Sequence, residues 1–329
     1  FLQLEANYSS PLLPFLGGGF AYDYLATFEE LPEVNPGANT YPDYEFLVAQ
    51  TVLAVDHLQG TAHLEGWDID DKRLREELDY LASLPVAARF TAPQKERIRA
   101  VADVDDAGFR ADVDKLKGNI HAGDIYQVVP ARAFTVECPN ALAAYRALRE
   151  TNPSPYMFYV RGASYELFGA SPESNLKFTP EDRQVQLYPI AGTRPRGLNP
   201  DGSINHELDI RNELDMRTDQ KEVAEHTMLV DLARNDLARV AVPRSRQVAE
   251  LLHVDRYSRV MHLVSRVTAT LHPDFDALDA YRACMNMGTL TGAPKLRATE
   301  LVRRTEGKRR GSYGGAVGYL RGDGAMDNC

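Results

Sequence analysis

The chain of 329 residues is poor in cysteine, with three, and in tryptophan, with one. Cys138, Cys284 and Cys329 are odd in number and show no CxxC spacing, so neither a zinc site nor a disulfide framework is indicated. Positive charge is also short. Thirty-seven Lys and Arg against 47 Asp and Glu leave a net charge of −10, which argues against a nucleic-acid partner held through its phosphates. An anionic substrate would need a metal ion or a local basic cluster to overcome that general repulsion. No apolar run approaches the roughly 18 residues of a membrane span, and no charged-then-apolar leader opens the chain, so a cytoplasmic protein is expected.

What is present suits a globular protein. The 44% hydrophobic content is ordinary, and the length exceeds what one core usually serves, so one large or two unequal domains are expected. PLLPFLGGGFAYDY at 11–24 reads as a strand or bend packed close to another backbone. Residues 45–56 are a β-rich run with 60–67 as hairpin partner, and 71–84 an amphipathic helix stopped by Pro85. Residues 86–102 read as a linker, which divides the chain into 1–95, the remainder of an N-terminal domain, and 96–329, a catalytic domain. Beyond it, 105–121 and 142–151 are predicted helices, and 156–160, 167–170, 184–190, 258–271 and 311–320 predicted strands.

The chain is organised around ELDMRTDQKEVAEHTMLVDLARNDLARV at 213–240. Asp219-x-x-Glu222 has the spacing of a helix cap and its N3 carboxylate, so a helix should begin near Asp219. Glu222 and Glu225 then share one face near the positive helix end. Two such carboxylates could hold a hard divalent cation such as Mg²⁺, which takes oxygen ligands and borrows the rest of its shell from water and an anionic substrate. Capping for Glu222 and solvation for Glu225 is the competing reading.

Other candidates come from separate segments. Glu173, in SPES, sits at a strand–turn junction; flanked by Pro172 and apolar strands, a buried carboxyl there would suit a general acid. Gly192 and Thr193 end a strand where glycine lets a ligand approach the backbone and threonine offers a hydroxyl, or where the chain simply turns. His262 lies among aliphatic residues on a strand, which is the usual place of a core histidine but also of a proton-transfer group with near-neutral pKa. The glycine-bearing loop and helix at 287–302 have the form of an anion site, though Lys295 is followed by Leu and so forms no Walker loop. Tyr313, beside glycines, is either packed or able to reach a carboxylate.

Taken together, GDIYQVVPAR, SPES, PIAGT, the central EVAEHTMLVDLARNDLARV, RVMHLVS, GTLTGAPK and GSYGGAVGY, in this order, resemble the chorismate-utilising enzymes and, among them, the anthranilate synthase large subunits. The resemblance implies an α+β fold, a two-layered, largely antiparallel β-sandwich with flanking helices, binding chorismate and Mg²⁺ in a cleft. It implies Glu225 and Glu222 as metal ligands, and Gly192, Thr193, Tyr313 and Gln127 around the substrate. Glu173 matches the acid for departure of the ring hydroxyl, His262 the histidine tied to pyruvate elimination, and Thr289 lies in the active-site loop. NPSPYM, at 152–157, resembles the lining of an allosteric tryptophan site, here Pro155, Tyr156 and Met157 with Val317 and Tyr319 nearby; a plain proline turn is the alternative.

Two positions narrow the reaction that the resemblance implies. Isochorismate and salicylate synthases carry a water-activating lysine where Gln127 stands, and glutamine is no base at neutral pH. Aminodeoxychorismate synthases often carry a nucleophilic lysine where Ala191 stands. The expectation is therefore conversion of chorismate and ammonia to anthranilate and pyruvate, with ammonia from a glutamine amidotransferase subunit and feedback inhibition by L-tryptophan. Aminodeoxychorismate synthesis, or a binding subunit without turnover, is the alternative. The chain opens on Phe1 and stops at Cys329 before the family's remaining metal and substrate residues, which reads as a fragment that is poorly active or inactive.

Overall fold

The computed structural model describes residues 3–7, 13–67, 69–85 and 99–329. Its centre is the strand Val260–Thr270, where Met261, Leu263 and Val267 are fully buried. Gln247–Arg256 pairs along one edge of this strand, and Ile190–Pro195 and Gln184–Leu187 share the other. From Gln184–Leu187 the sheet continues through Leu176–Thr179, Met326–Asn328, Ala316–Arg321, Phe15–Phe20 and Tyr44–Ala49 to make nine strands. Every pairing in it is antiparallel.

The helices Gln220–Ala238 and Ala277–Cys284 cover this sheet. Leu237 and Ala280 from the helices meet Leu176 and Val267 from the strands, all at 0% exposure. Each such leucine contributes about 1.5–3 kcal/mol by leaving water. A capping box at Asp276 and Asp279 starts the second helix. The hairpin Tyr156–Arg161 and Glu166–Ser171, with helix Ala141–Thr151 against it, lies across a cavity from Phe15–Phe20 and Ala316–Arg321. This is the α+β arrangement expected, a large antiparallel sheet with a second layer and flanking helices.

Several boundaries differ from expectation. The run at 45–56 is broken at Gln50, whose carbonyl accepts from Trp67 N–H, and its halves enter different sheets. Thr51–Asp56 does pair with Thr61–Gly66 as a hairpin, and Gln3–Asn7 adds to it in parallel. Phe15–Phe20 and Tyr44–Ala49 belong to the main sheet, so the division placed at residue 95 does not separate the sheets. Most of the linker, residues 86–98, lies outside the described residues, while Val101–Ala102 at its end pairs with Phe134–Thr135.

The triple glycine explains the close packing at this join. A Cβ on Gly18 would stand 2.0 Å from the Glu45 carbonyl oxygen, so no larger residue fits between the two backbones. Among the described residues no helix is long and apolar enough to cross a membrane.

Candidate active site

The central helix Gln220–Ala238 begins where expected: the Asp219 carboxylate accepts from the N–H groups of Lys221 and Glu222 at 2.9 and 3.2 Å. Its two glutamates have different partners. Glu222 accepts from Arg194 Nη1 at 3.0 Å, and the same guanidinium also reaches Asp215 at 2.6 Å and Asp219 at 3.0 Å. Glu225 accepts from Gln127 Nε2 at 2.6 Å. Next to Glu225, His226 is fully buried and bonds the Ala191 carbonyl through Nδ1 and Ser265 Oγ through Nε2, which fixes the rotation of the helix. Burial depresses its pKa, so it is neutral at neutral pH.

The strand Ile190–Pro195 ties the candidates together. Ile190 N–H donates to Glu173 Oε1 at 3.2 Å, the Ala191 carbonyl meets His226, Thr193 Oγ1 lies 2.9 Å from His262 Nδ1, and Arg194 holds Glu222. Four residue steps along a strand cover roughly 13 Å, so Glu173 and Arg194 mark the two ends of this row of groups. Gly192 has φ +95° within a β-bulge, and a Cβ there would press on Leu263 at 3.0 Å. The position therefore requires glycine on two counts, conformation and space.

Glu173 is enclosed at its carboxyl end, with Oε1 on Ile190 N–H and Oε2 accepting the Thr289 hydroxyl at 2.8 Å. Loss of hydration outweighs these two bonds and lifts its pKa to about 7. His262 shifts the other way. Burial holds it below the ordinary imidazole value, against a Gly192 backbone bond that favours the charged form.

Thr289 stands on the short helix Gly288–Thr291, and the following Gly292–Ala293 pairs with Gln127–Val128. The Glu173–Thr289 pair and the Glu225–Gln127 pair are thus joined by one short stretch of backbone. Arg310 braces it by donating to the Leu290 and Val129 carbonyls, both at 2.8 Å. Tyr313 sits in a turn ahead of Ala316–Arg321, so the strand expected from 311 starts later; its ring, 50% exposed, faces Arg310 at 5.6 Å. Gln127 and Glu225 line a cleft of about 1320 Å³, whereas Glu173 and Thr289 line a separate cavity of about 30 Å³. Pro155, Tyr156, Met157, Val317 and Tyr319 surround a third cavity of about 840 Å³, where Tyr156 donates to Asp327 at 2.9 Å.

Among the described residues no three His, Cys, Asp or Glu side chains converge as a ready metal cage. Gln127 Oε1 is, however, buried without a hydrogen-bond partner beside Glu225. An unpaired carbonyl oxygen next to a carboxylate fits a hard cation that keeps much of its shell in water and substrate. Glu222 is less available, because one of its oxygens is held by Arg194, whose single charge it shares with Asp215 and Asp219.

Arg194 and His226 escaped the sequence reading, although both adjoin motifs it singled out. The signal for Arg194 was a cation next to Thr193, opposite the carboxylates of Asp215, Asp219 and Glu222; the helices His206–Thr218 and Gln220–Ala238 bring them together, and the weak apolar periodicity of the first hid it. The strand Gln247–Arg256 was likewise not foreseen.

The structure thus holds an enclosed acid in Glu173, an imidazole kept neutral by burial in His262 and a carboxylate–amide pair in Glu225 and Gln127. The chain belongs to the chorismate binding enzyme family, whose pattern matches residues 2–329. It is 52% identical over 323 residues to anthranilate synthase component 1 of Salmonella typhimurium, covering 96% of this chain and 62% of that protein. It is 51% identical over 327 residues to anthranilate synthase component 1 of Vibrio cholerae, covering 96% of this chain and 61% of the relative. The chain thus spans about three-fifths of the length of these curated relatives. The crystal structure of anthranilate synthase component I from Streptococcus pneumoniae superposes with a TM-score of 0.85 at 30% identity, covering 98% of this chain and 73% of that one. The menaquinone-specific isochorismate synthase of Escherichia coli, at 19% identity and a TM-score of 0.71, shares the fold.

Proposed function

We propose that this chain is the chorismate-binding part of an anthranilate synthase, which joins ammonia to chorismate and releases anthranilate and pyruvate. The observation that carries the reading is Glu173, an enclosed carboxyl with pKa about 7 whose oxygens are aimed by Thr289 and Ile190. At neutral pH much of it is protonated, as a general acid for a departing hydroxyl must be. In the first step ammonia adds to the ring carbon beside the carboxylate while Glu173 gives its proton to the ring hydroxyl, which leaves as water. His262, held neutral by burial, accepts the ring proton released as pyruvate departs and the ring becomes aromatic.

Gly192 and Thr193 would offer a backbone N–H and a hydroxyl to the substrate carboxylate, and Tyr313 its phenol. Mg²⁺ is the cation we assign, with Glu225 and Gln127 Oε1 to hold it and Glu222 in reserve behind Arg194. When bound it neutralises the substrate's carboxylate. Gln127 in place of a lysine supports ammonia over water as nucleophile, and Ala191 supports direct amination over a covalent route. Ammonia would come from a glutamine amidotransferase subunit, L-tryptophan would inhibit through the cavity beside Pro155, Tyr156 and Met157, and the enzyme would work in the cytoplasm.

The test is the full-length protein with chorismate, Mg²⁺ and excess ammonium. Fluorescent anthranilate and an equal amount of pyruvate are expected; para-aminobenzoate or isochorismate as product would overturn the assignment.

A further inference from the structure

Lys295, in the loop that failed as a Walker motif, opens the helix Lys295–Glu306 and turns its side chain inward. Its Nζ donates to Asp236 Oδ2 at 2.6 Å and to the Cys284 carbonyl at 2.8 Å, and the Lys295 and Asp236 side chains are 11% and 13% exposed. An ammonium has three donors, so one remains beyond these two bonds. Lys295, Asp236 and Cys284 line the same cavity as Glu173 and Thr289, with Leu187, Leu229, Leu232 and Met287 as apolar wall. Its volume of about 30 Å³ exceeds the roughly 10–15 Å³ that one water needs, and on its mainly apolar wall Glu173, Asp236 and Lys295 supply the two or more polar partners that can hold a water in place.

We propose that Lys295 and Asp236 act on Glu173 through one water bound in this cavity, as positioning residues for its proton transfer. The proposal rests on the reading of Glu173 as the acid. The charged and titratable groups that face Glu173 across the cavity are Asp236 from the central helix, Cys284 from Ala277–Cys284 and Lys295 from Lys295–Glu306; the strand Ile190–Pro195 and the loop helix present the Ile190 N–H and the Thr289 hydroxyl. Burial pushes the Cys284 thiol far up, so it stays neutral. The pair as a whole carries no net charge, and each member sets the field that the other would exert on Glu173 alone.

Opposite signs follow for the two single exchanges in the full-length enzyme. An acid loses activity as pH rises through its pKa, so the basic limb of the kcat/KM profile reports Glu173. Lys295→Met leaves Asp236 with only the weaker charge of Arg239 to offset it and is expected to move that limb up; Asp236→Asn leaves the ammonium and should move it down. A limb that stays put in both, or moves the same way in both, overturns the proposal. A buried charge stripped of its partner is strongly destabilising, so the double exchange Lys295→Met with Asp236→Leu serves as the folding control. There the carboxyl stretch of Glu173, isolated by infrared difference against Glu173→Gln, is expected to rise in frequency as the water's hydrogen bond is lost, and an unchanged band overturns the proposal. This readout needs no turnover, so a wild-type enzyme that makes no anthranilate would sink the assigned reaction while the band still decides the role of Lys295.

Discussion

Thr289 donates its hydroxyl to Glu173 across 2.8 Å, and the two residues come from segments 116 positions apart. The bond stabilises the carboxylate form, so Thr289→Val should raise the Glu173 pKa further and leave the acid less well aimed. The basic limb of the pH–rate profile is expected to move to higher pH while kcat falls about tenfold or more, the usual cost of an unmade bond at a buried acceptor. Glu173→Gln, which removes the proton itself, should cost about 10²–10⁴ in kcat. Steady-state kinetics of the full-length enzyme across pH 5–9 separates the two effects.

The same residue links folding to pH. The Glu173 pKa rises from 4.5 in the unfolded chain to about 7 in the folded one, so folding favours its protonated form. The benefit is complete below about pH 4.5 and is lost as pH rises through about 7, amounting to about 3 kcal/mol at 1.36 kcal/mol per pH unit. Glu173→Gln should therefore raise the melting temperature at pH 8.5 relative to wild type and leave it nearly unchanged at pH 5. Equal shifts at both values would exclude an ionised, desolvated carboxyl as the cause.

His262 is assigned to the second step. His262→Ala in the complete enzyme should let the aminated, still non-aromatic intermediate build up, detectable by chromatography of quenched reactions, while chorismate consumption continues. Thr193→Val, which removes the partner 2.9 Å from Nδ1, should give a milder version of the same pattern. Parallel loss of both steps in His262→Ala would count against the division of labour.

The two helix glutamates should differ in their hold on a cation. Glu225→Gln is expected to weaken Mn²⁺ binding, read by electron paramagnetic resonance of the free ion, by tenfold or more. Glu222→Gln should weaken it less, because Arg194 already holds one oxygen of that carboxylate. The reverse order would show that Arg194 yields Glu222 to the metal.

A buried ion pair fastens the N-terminal segment to the last helix. Arg303 Nη1 bonds Asp23 Oδ1 at 2.8 Å, with side chains 9% and 5% exposed, and Asp23 Oδ2 accepts Gly311 N–H at 2.9 Å. Asp23→Ala should cost about 3–5 kcal/mol by leaving the guanidinium unpaired, whereas replacing both partners by leucine should be far closer to neutral. Urea denaturation of both variants measures the difference.

Elements with strong local rules were legible in the sequence. Asp219 caps the central helix because an aspartate at that position reaches the next amides, and the alternation at 258–271 named the buried strand. The enclosure of Glu173 could be suspected from Pro172 and its apolar flanks, but the partners that enclose it, Thr289 and Ile190, come from a short helix and a strand elsewhere in the chain. Arg194 was invisible for the same reason: its role depends on three carboxylates that the sequence spreads over Asp215, Asp219 and Glu222 and that only helix packing gathers. The pairing of Phe15–Phe20 with Ala316–Arg321 could not be foreseen either, because it obeys no local pattern.

That last pairing sets an order of events during synthesis. The glycine strand emerges from the ribosome long before its neighbour on one side, where Phe20 lies opposite Ala316. Until then it has only Tyr44–Ala49 beside it, and its other edge offers unsatisfied amides to any passing chain. Closing so distant a contact is slow and leaves the nascent protein exposed to aggregation, so chaperone demand should fall on the interval before Ala316–Arg321 is free to dock.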